Sequence, residues 1–144
     1  MSYKKLSRKS DLAYGLSKEE EVRIKLTSFF QEPLINTKDI SGYDEFTEFD
    51  FIGLITNDRF EVKSRRCTKE YYLSTYMPLS KVSKESIRSD LYFVFNFTDK
   101  LCYIKYYKPD FDKYNIKDVK CLRDGQYEYK LEFDIPIDDL IDID

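Results

Sequence analysis

Hydrophobic positions first recur at helical spacing in the opening third of the chain. Val22, Leu26, Phe29 and Phe30 fall on one side of a 3.6-residue repeat. Ser17-Lys18-Glu19-Glu20 in front of them has the form of a capping box, with Ser17 at the N-cap, and Pro33 closes the run. The pattern predicts a helix over about 17–31. Beyond it the chain turns to extended runs. Glu48 to Ile55 and Arg59 to Ser64 flank Thr56-Asn57-Asp58, a turn composition that predicts a β-hairpin. A second hairpin is predicted from Leu91 to Phe97 and Leu101 to Tyr107, around Thr98-Asp99-Lys100, with arms dense in aromatic and β-branched residues. Lys69 to Arg88 between them is less regular, with Pro78 and then a helical piece from Ser80 or Ser83. A short helix within 110–122, an alternating strand from Tyr127 to Ile135 and a helical turn from Asp138 to Ile143 complete the reading. That order of elements predicts an α/β or α+β fold, a sheet with helices packed on it.

The chain of 144 residues predicts one domain, 1–144, with a flexible basic start over 1–14 carrying Lys4, Lys5, Arg8 and Lys9. Neither a repeat nor a low-complexity linker divides it. The absent residue types narrow the chemistry most. With no His, imidazole-based hydrolysis and zinc sites with His ligands are excluded. Four widely spaced glycines (Gly15, Gly42, Gly53, Gly125) cannot write a phosphate loop or a dinucleotide fingerprint. Cys67, Cys102 and Cys121 are odd in number and far apart, and no apolar stretch follows Met1. Free thiols and an intracellular, cytoplasmic protein are therefore expected. A bound ion would be a hard cation held by oxygen, Mg²⁺ or Mn²⁺. One alanine against a surplus of Lys, Tyr, Phe, Ile and Asp matches an AT-rich coding sequence, a weak hint of a viral or parasitic genome and nothing more; within the expected cytoplasmic location, a viral factory or nucleoid is the narrower alternative.

The net charge of −3 conceals segregation along the chain. Lys63 to Arg88 holds seven basic residues against Glu70 and Glu85, whereas Asp124 to Asp144 holds eight acidic residues against Lys130. A basic middle and an acidic tail suit a protein that grips phosphate on one face. Mixed, solvated charged faces are the plainer explanation of the same runs.

Three charged residues stand where strands favour apolar ones: Asp50 between Phe49 and Phe51, then Glu61 and Lys63 around Val62. Alternation puts Glu61 and Lys63 on one face, with Phe60 and Val62 on the other. A two-residue loop, Thr56-Asn57 or Asn57-Asp58, keeps Asp50 on the face of Glu61 and Lys63. With Thr56-Asn57, Asp50 lies opposite Lys63 and diagonal to Glu61. An odd loop reverses Asp50 unless a bulge, which Gly53 would permit, restores it. Two carboxylates converging in a partly dry cleft repel one another unless a cation compensates them. Mg²⁺ accepts one or two protein carboxylates and fills its shell with water and phosphate oxygens. An ammonium beside them can orient or deprotonate an attacking water and offset charge on the phosphate.

Asp50, a hairpin, and then Glu61-Val62-Lys63 resemble the D…(D/E)xK signature of the PD-(D/E)XK nucleases, the restriction-endonuclease-like superfamily. Gly15 followed by Glu19, Val22 and Leu26 is similar to the pattern of the helix that precedes the motif there. Phe49-Asp50-Phe51, Glu61-Val62-Lys63-Ser64-Arg65, Thr75-Tyr76-Met77 leading to Lys81, and Ile135-Pro136-Ile137 resemble small uncharacterised members from large DNA viruses and phages. The sequence departs from the family in having Phe49 where a Pro commonly precedes the Asp. The resemblance implies a central mixed sheet of about five strands flanked by helices. It implies that Asp50 and Glu61 hold a metal with the Val62 carbonyl, that Lys63 serves the water, that Glu19 holds a second metal or water, and that Lys81 reaches the scissile phosphate. By themselves Glu19 also reads as an acid at a helix N-terminus and Lys81 as an ordinary surface lysine. Arg65, Arg66, Lys69 and Lys84 complete the basic residues expected at nucleic acid.

In the aromatic hairpin, Phe93, Phe95 and Phe97 alternate with Tyr92, Val94 and Asn96, which predicts a Phe core with some Tyr facing water; a stacking platform for single strands is the alternative. Cys67 lies in a basic context yet has no partner for a nucleophile's role. The expectation is a Mg²⁺-dependent nuclease acting on DNA, structure-selective or nonspecific, in viral replication, recombination or repair. It would work away from membranes, and a homodimer is compatible with it. A catalytically inactive nucleic-acid-binding module or subunit of the same fold is the rival, and an interaction protein without nucleic acid the third possibility.

Overall fold

The computed structural model describes residues 8–40, 49–82 and 89–143, with side chains from Lys18 onward except at 121 and 123. It is a mixed α/β structure with a six-stranded mixed sheet and a three-stranded sheet. The six-stranded sheet runs in the order β1 (Leu34–Asn36), β2 (Phe51–Gly53), β3 (Arg59–Ser64), β5 (Leu91–Asn96), β6 (Leu101–Lys105) and β9 (Ile141–Asp142). Among the described residues only the β3/β5 pair is parallel; the chain between them makes β4 (Ser74–Pro78) in the other sheet. That sheet has β8 (Gln126–Pro136) between β4 and β7 (Asn115–Arg123).

Helix α1 (Arg8–Phe30) covers one face of the larger sheet. Its inward residues Val22 and Leu26 are buried with Leu34, Phe51, Phe60, Val94 and Leu101. Phe30 packs edge-on against Phe60 and Tyr103 and tilted against Tyr92. Gln31, at φ 55°, turns the chain out of the helix just ahead of Pro33. The opposite face packs on the second sheet, so Phe93 and Phe95 share a core with Met77, Phe133 and Ile135. The order is helix, sheet, sheet, and β3 lies in the middle layer with both faces covered.

Several expectations are corrected. The helix begins at Arg8, so Ser17 is interior and the capping-box reading fails. The short helix in 110–122 is one turn, α2 (Lys108–Phe111), followed by β7. Asp138 to Ile143 is a 3-10 turn, Ile137–Asp139, and then β9. The piece from Ser80 begins as a 3-10 turn, Leu79–Lys81, and residues 83–88 lie outside the described residues. Among the described residues the sheets hold nine strands, against the five extended runs that the sequence pattern predicts. In the aromatic hairpin the Phe residues do build the core. Tyr92 and Tyr103 pack beneath α1 instead of facing water, Tyr92 stacking on Phe60 at 5.1 Å.

Candidate active site

The β2/β3 turn determines where Asp50 stands. Phe51 registers with Phe60 and Ile52 with Arg59, which leaves Leu54 to Asn57 as a four-residue loop between Gly53 and Asp58. The loop is even, as the sequence argument requires, but two residues longer than a minimal turn. By ladder count alone Asp50 would stand across from Glu61 instead of Lys63. The Asp50 N–H also donates to the Phe60 carbonyl at 2.9 Å, so residues 50 and 51 both stand against Phe60, in the manner of a bulge. The bulge lies at Asp50, not at Gly53.

Buried Glu32 holds this loop from the end of α1. Its carboxylate accepts from the Ile55 N–H at 2.9 Å, the Thr56 N–H at 3.0 Å and the Thr56 hydroxyl at 2.8 Å. Burial pushes the Glu32 carboxyl up, but these hydrogen bonds together hold it below its ordinary range. Gly53 is required by the same contact, since a Cβ there would lie 2.4 Å from a Glu32 oxygen.

The peptide groups of β3 alternate in direction. The Arg59 N–H donates to Asp90 and the Arg65 N–H to Asn96, so odd-numbered residues bond to β5 and even-numbered ones turn toward β2. Just past the end of β2, the Val62 N–H donates to Asp50 Oδ2 at 2.8 Å. The Val62 carbonyl follows on the same edge, beyond the β2 ladder. Asp50 thus takes the place of a strand partner, and its carboxylate is held against the backbone of the E-x-K segment.

Glu61 and Lys63 point to the face opposite α1, in register with Phe93 and Phe95. Glu61 is only 5% exposed. Lys63 Nζ lies 3.9 Å from its carboxylate, and Lys81 Nζ, from the 3-10 turn after β4, lies 3.3 Å from it. Burial first, and the Asp50 carboxylate second, push Glu61 up to about 7. Burial also raises Asp50; the Val62 N–H opposes that rise and the Glu19 charge adds to it. Lys63 is held below the usual lysine range by burial, with Lys81 and Arg65 acting the same way and Glu61 against. Two acids and two amines from three elements therefore share one poorly solvated spot.

Glu19 acts on Asp50 from the α1 side, but its oxygens are engaged elsewhere. It accepts from Asn36 Nδ2 at 2.8 Å and pairs with Lys38 at 3.7 Å. Among the described residues no three His, Cys, Asp or Glu side chains gather into a metal-holding group. A cation here would rest on Asp50, Glu61 and the Val62 carbonyl. Two repelling carboxylates beside a carbonyl beyond its strand ladder form a donor set that suits a hard cation. Mg²⁺, which needs no more than two carboxylates, fits it.

The other expected residues divide. The Arg65 guanidinium ties β3 to β4, reaching the Tyr76 carbonyl at 2.7 Å and the Thr75 hydroxyl at 3.3 Å. Lys69 pairs with Asp142 at 2.7 Å, on the β6/β9 side of the sheet. Arg66 is exposed, and Lys84 lies outside the described residues. One residue the sequence reading passed over is Arg59, buried on the face of Glu61 with its guanidinium 4.9 Å from the Phe49 ring centre. The alternation that paired residues 61 and 63 also includes 59.

No helix among the described residues is long and apolar enough to cross a membrane. No protein-family model matches the chain, and no curated protein matches it.

Proposed function

We propose that the protein is a metal-dependent nuclease with a restriction-endonuclease-like core, hydrolysing phosphodiester bonds of DNA at the Asp50/Glu61/Lys63 site. The observation that carries this reading is the convergence of Asp50, Lys63 and Lys81, from three separate stretches of chain, around the buried Glu61 carboxylate. Asp50, Glu61 and the Val62 carbonyl would hold Mg²⁺ or Mn²⁺. Bound there, the ion supplies Lewis-acid polarisation of the phosphate and acidifies a water. The chain's own residues do the rest. Asp50 and Glu61 carry the paired negative charge that burial makes costly and that a cation would offset. Lys63, whose proton burial has loosened, orients the attacking water and takes or returns a proton. Lys81 is the cation placed to meet a phosphate oxygen. Glu19 keeps Asp50 from ionising too readily until a cation is present.

The test uses single-stranded, duplex and branched DNA and RNA, in Mg²⁺, Mn²⁺ and EDTA, with Asp50→Ala and Lys63→Ala proteins alongside. Cutting of DNA that needs metal and vanishes in both variants is expected. Equal cutting by all proteins, or none by any, removes the nuclease reading. One observation favours a second reading. Two ammonium groups already lie against Glu61, so the pair could be permanently neutralised in a nucleic-acid-binding module that does not cut. Salt-dependent binding without cleavage, unchanged in Asp50→Ala, selects that alternative.

A further inference from the structure

The three-stranded sheet is not filled along its length. β4 pairs with β8 only from Glu132 to Pro136, while β7 stays paired with β8 down to Arg123 and Gln126. Residues 118–123 and 126–131 therefore continue as a two-stranded arm, about 20 Å long at 3.3 Å per residue. Asp124 and Gly125, at φ 50° and 81°, make its turn. Alternation fixes what the arm presents. Phe133 and Ile135 point into the core, so Leu131, Tyr129 and Tyr127 continue the same face outward, with Asp118, Lys120 and Leu122 respectively across from them. Tyr127 and Tyr129 are 59% and 63% exposed. Lys120 Nζ lies 4.0 Å from the Tyr127 ring centre and 5.7 Å from that of Tyr129.

We infer that this face of the β7/β8 arm is a stacking platform for a single-stranded nucleic acid on its way to the Glu61 site. Three observations converge. Exposed tyrosines with an ammonium at their faces offer flat surfaces to bases and a counter-charge to phosphate, the combination on which single strands bind irrespective of sequence. The face is an outward extension of the one that shares a core with Phe93 and Phe95, the β5 partners of Glu61 and Lys63. It leaves the body where Pro78, paired with Glu132, leads into the 3-10 turn whose Lys81 reaches Glu61. A dry protein interface would have to bury the Lys120 charge between the rings, at a cost that a phosphate partner turns into a gain.

The substrate class rests on the proposed function, so binding is measured apart from cutting. Fluorescence anisotropy in EDTA with a labelled oligothymidylate, and with a duplex of the same length, reads binding without cutting. Tight, salt-sensitive binding preferring the single strand is expected. Tyr127→Ala/Tyr129→Ala should weaken it about tenfold or more, while Tyr127→Phe/Tyr129→Phe retains it because the ring face is kept. Asp50→Ala, which abolishes cutting under the proposed function, should bind as wild type does. Loss of cutting in every protein with this binding pattern intact overturns the nuclease and leaves the platform. Equal binding by the double alanine variant, no binding by wild type, or an arm-dependent dimer by sedimentation overturns the platform, whatever the cleavage result.

Discussion

Phe60 and Glu61 are adjacent in β3, and both are nearly inaccessible, at 0% and 5% exposure, yet they occupy opposite kinds of interior. Phe60 faces α1 among Phe30, Phe51 and Tyr92, where every contact gains from burial. Glu61 faces the second sheet, where burial works against its charge and Asp50 adds repulsion. One strand thus carries the stabilising core on one side and a strained ionic cluster on the other. The first face maintains the fold while the second holds groups that no stability argument would put there, which is why the second reads as functional. The sharpest way to break the comparison is Phe60→Ala. Removal of a fully buried ring stacked on Tyr92 should cost about 3–5 kcal/mol, read by denaturant unfolding. A loss below about 1 kcal/mol would mean that the helix face is not the main support.

The opposite sign belongs to Glu61. An unfolded Glu titrates near 4.5 and the folded one near 7. Between those values the unfolded chain releases its proton first, so stability falls as pH rises from 4.5 to 7 and is level above. The loss is roughly 3 kcal/mol. Unfolding measured at pH 5 and pH 8 should show that fall in the wild type and less than half of it in Glu61→Gln. Millimolar Mg²⁺ at the higher pH should restore stability to the wild type and not to the variant. A flat profile in the wild type would return Glu61 to the ranks of ordinary ion pairs.

Between the two faces sits the register, and here the sequence was legible in part. Alternation places Glu61 and Lys63 together, but Asp50 joins them through the bulge and the Val62 N–H, not through the count of loop residues. Alternation could not tell a two-residue loop from a four-residue one, because what holds the longer loop is Glu32, more than twenty positions upstream of Ile55 and Thr56. Non-local contacts explain the other misses too. β4 is five residues ending in Pro78 and becomes a strand only because β8 lies beside it. β7 was hidden because Ile116 is exposed and the apolar positions of the arm point to no core, although Asp124-Gly125 was a hairpin signal in plain view. The Ser17 box misled because a cap motif is local, whereas the helix runs on toward Arg8.

The loop yields the next prediction in size. Gly53→Ala forces a Cβ onto a carboxylate that three hydrogen bonds fix in place, so the clash has no cheap release. A loss of about 1–3 kcal/mol is expected. In a Glu32→Ala background the same change should cost much less, and the difference between the two measures the contact. Additive losses would show that the carboxylate does not set the turn.

The smallest effect tests whether the helix reaches the ionic face at all. Glu19 adds to the rise at Asp50, whereas burial and Asp50 dominate the rise at Glu61; its own oxygens are turned to Asn36 and Lys38. Glu19→Gln removes a charge that raises Asp50, so the Asp50 carboxyl should titrate at lower pH in the variant while Glu61 keeps its midpoint, both followed by carbon-detected NMR of the carboxyl groups. A shift at Asp50 alone places the helix acid one step behind the pair, tuning the residue that faces it. A matching shift at Glu61 would instead make the three acids one coupled cluster, and the separation between the two faces of β3 would then be narrower than the strand geometry implies.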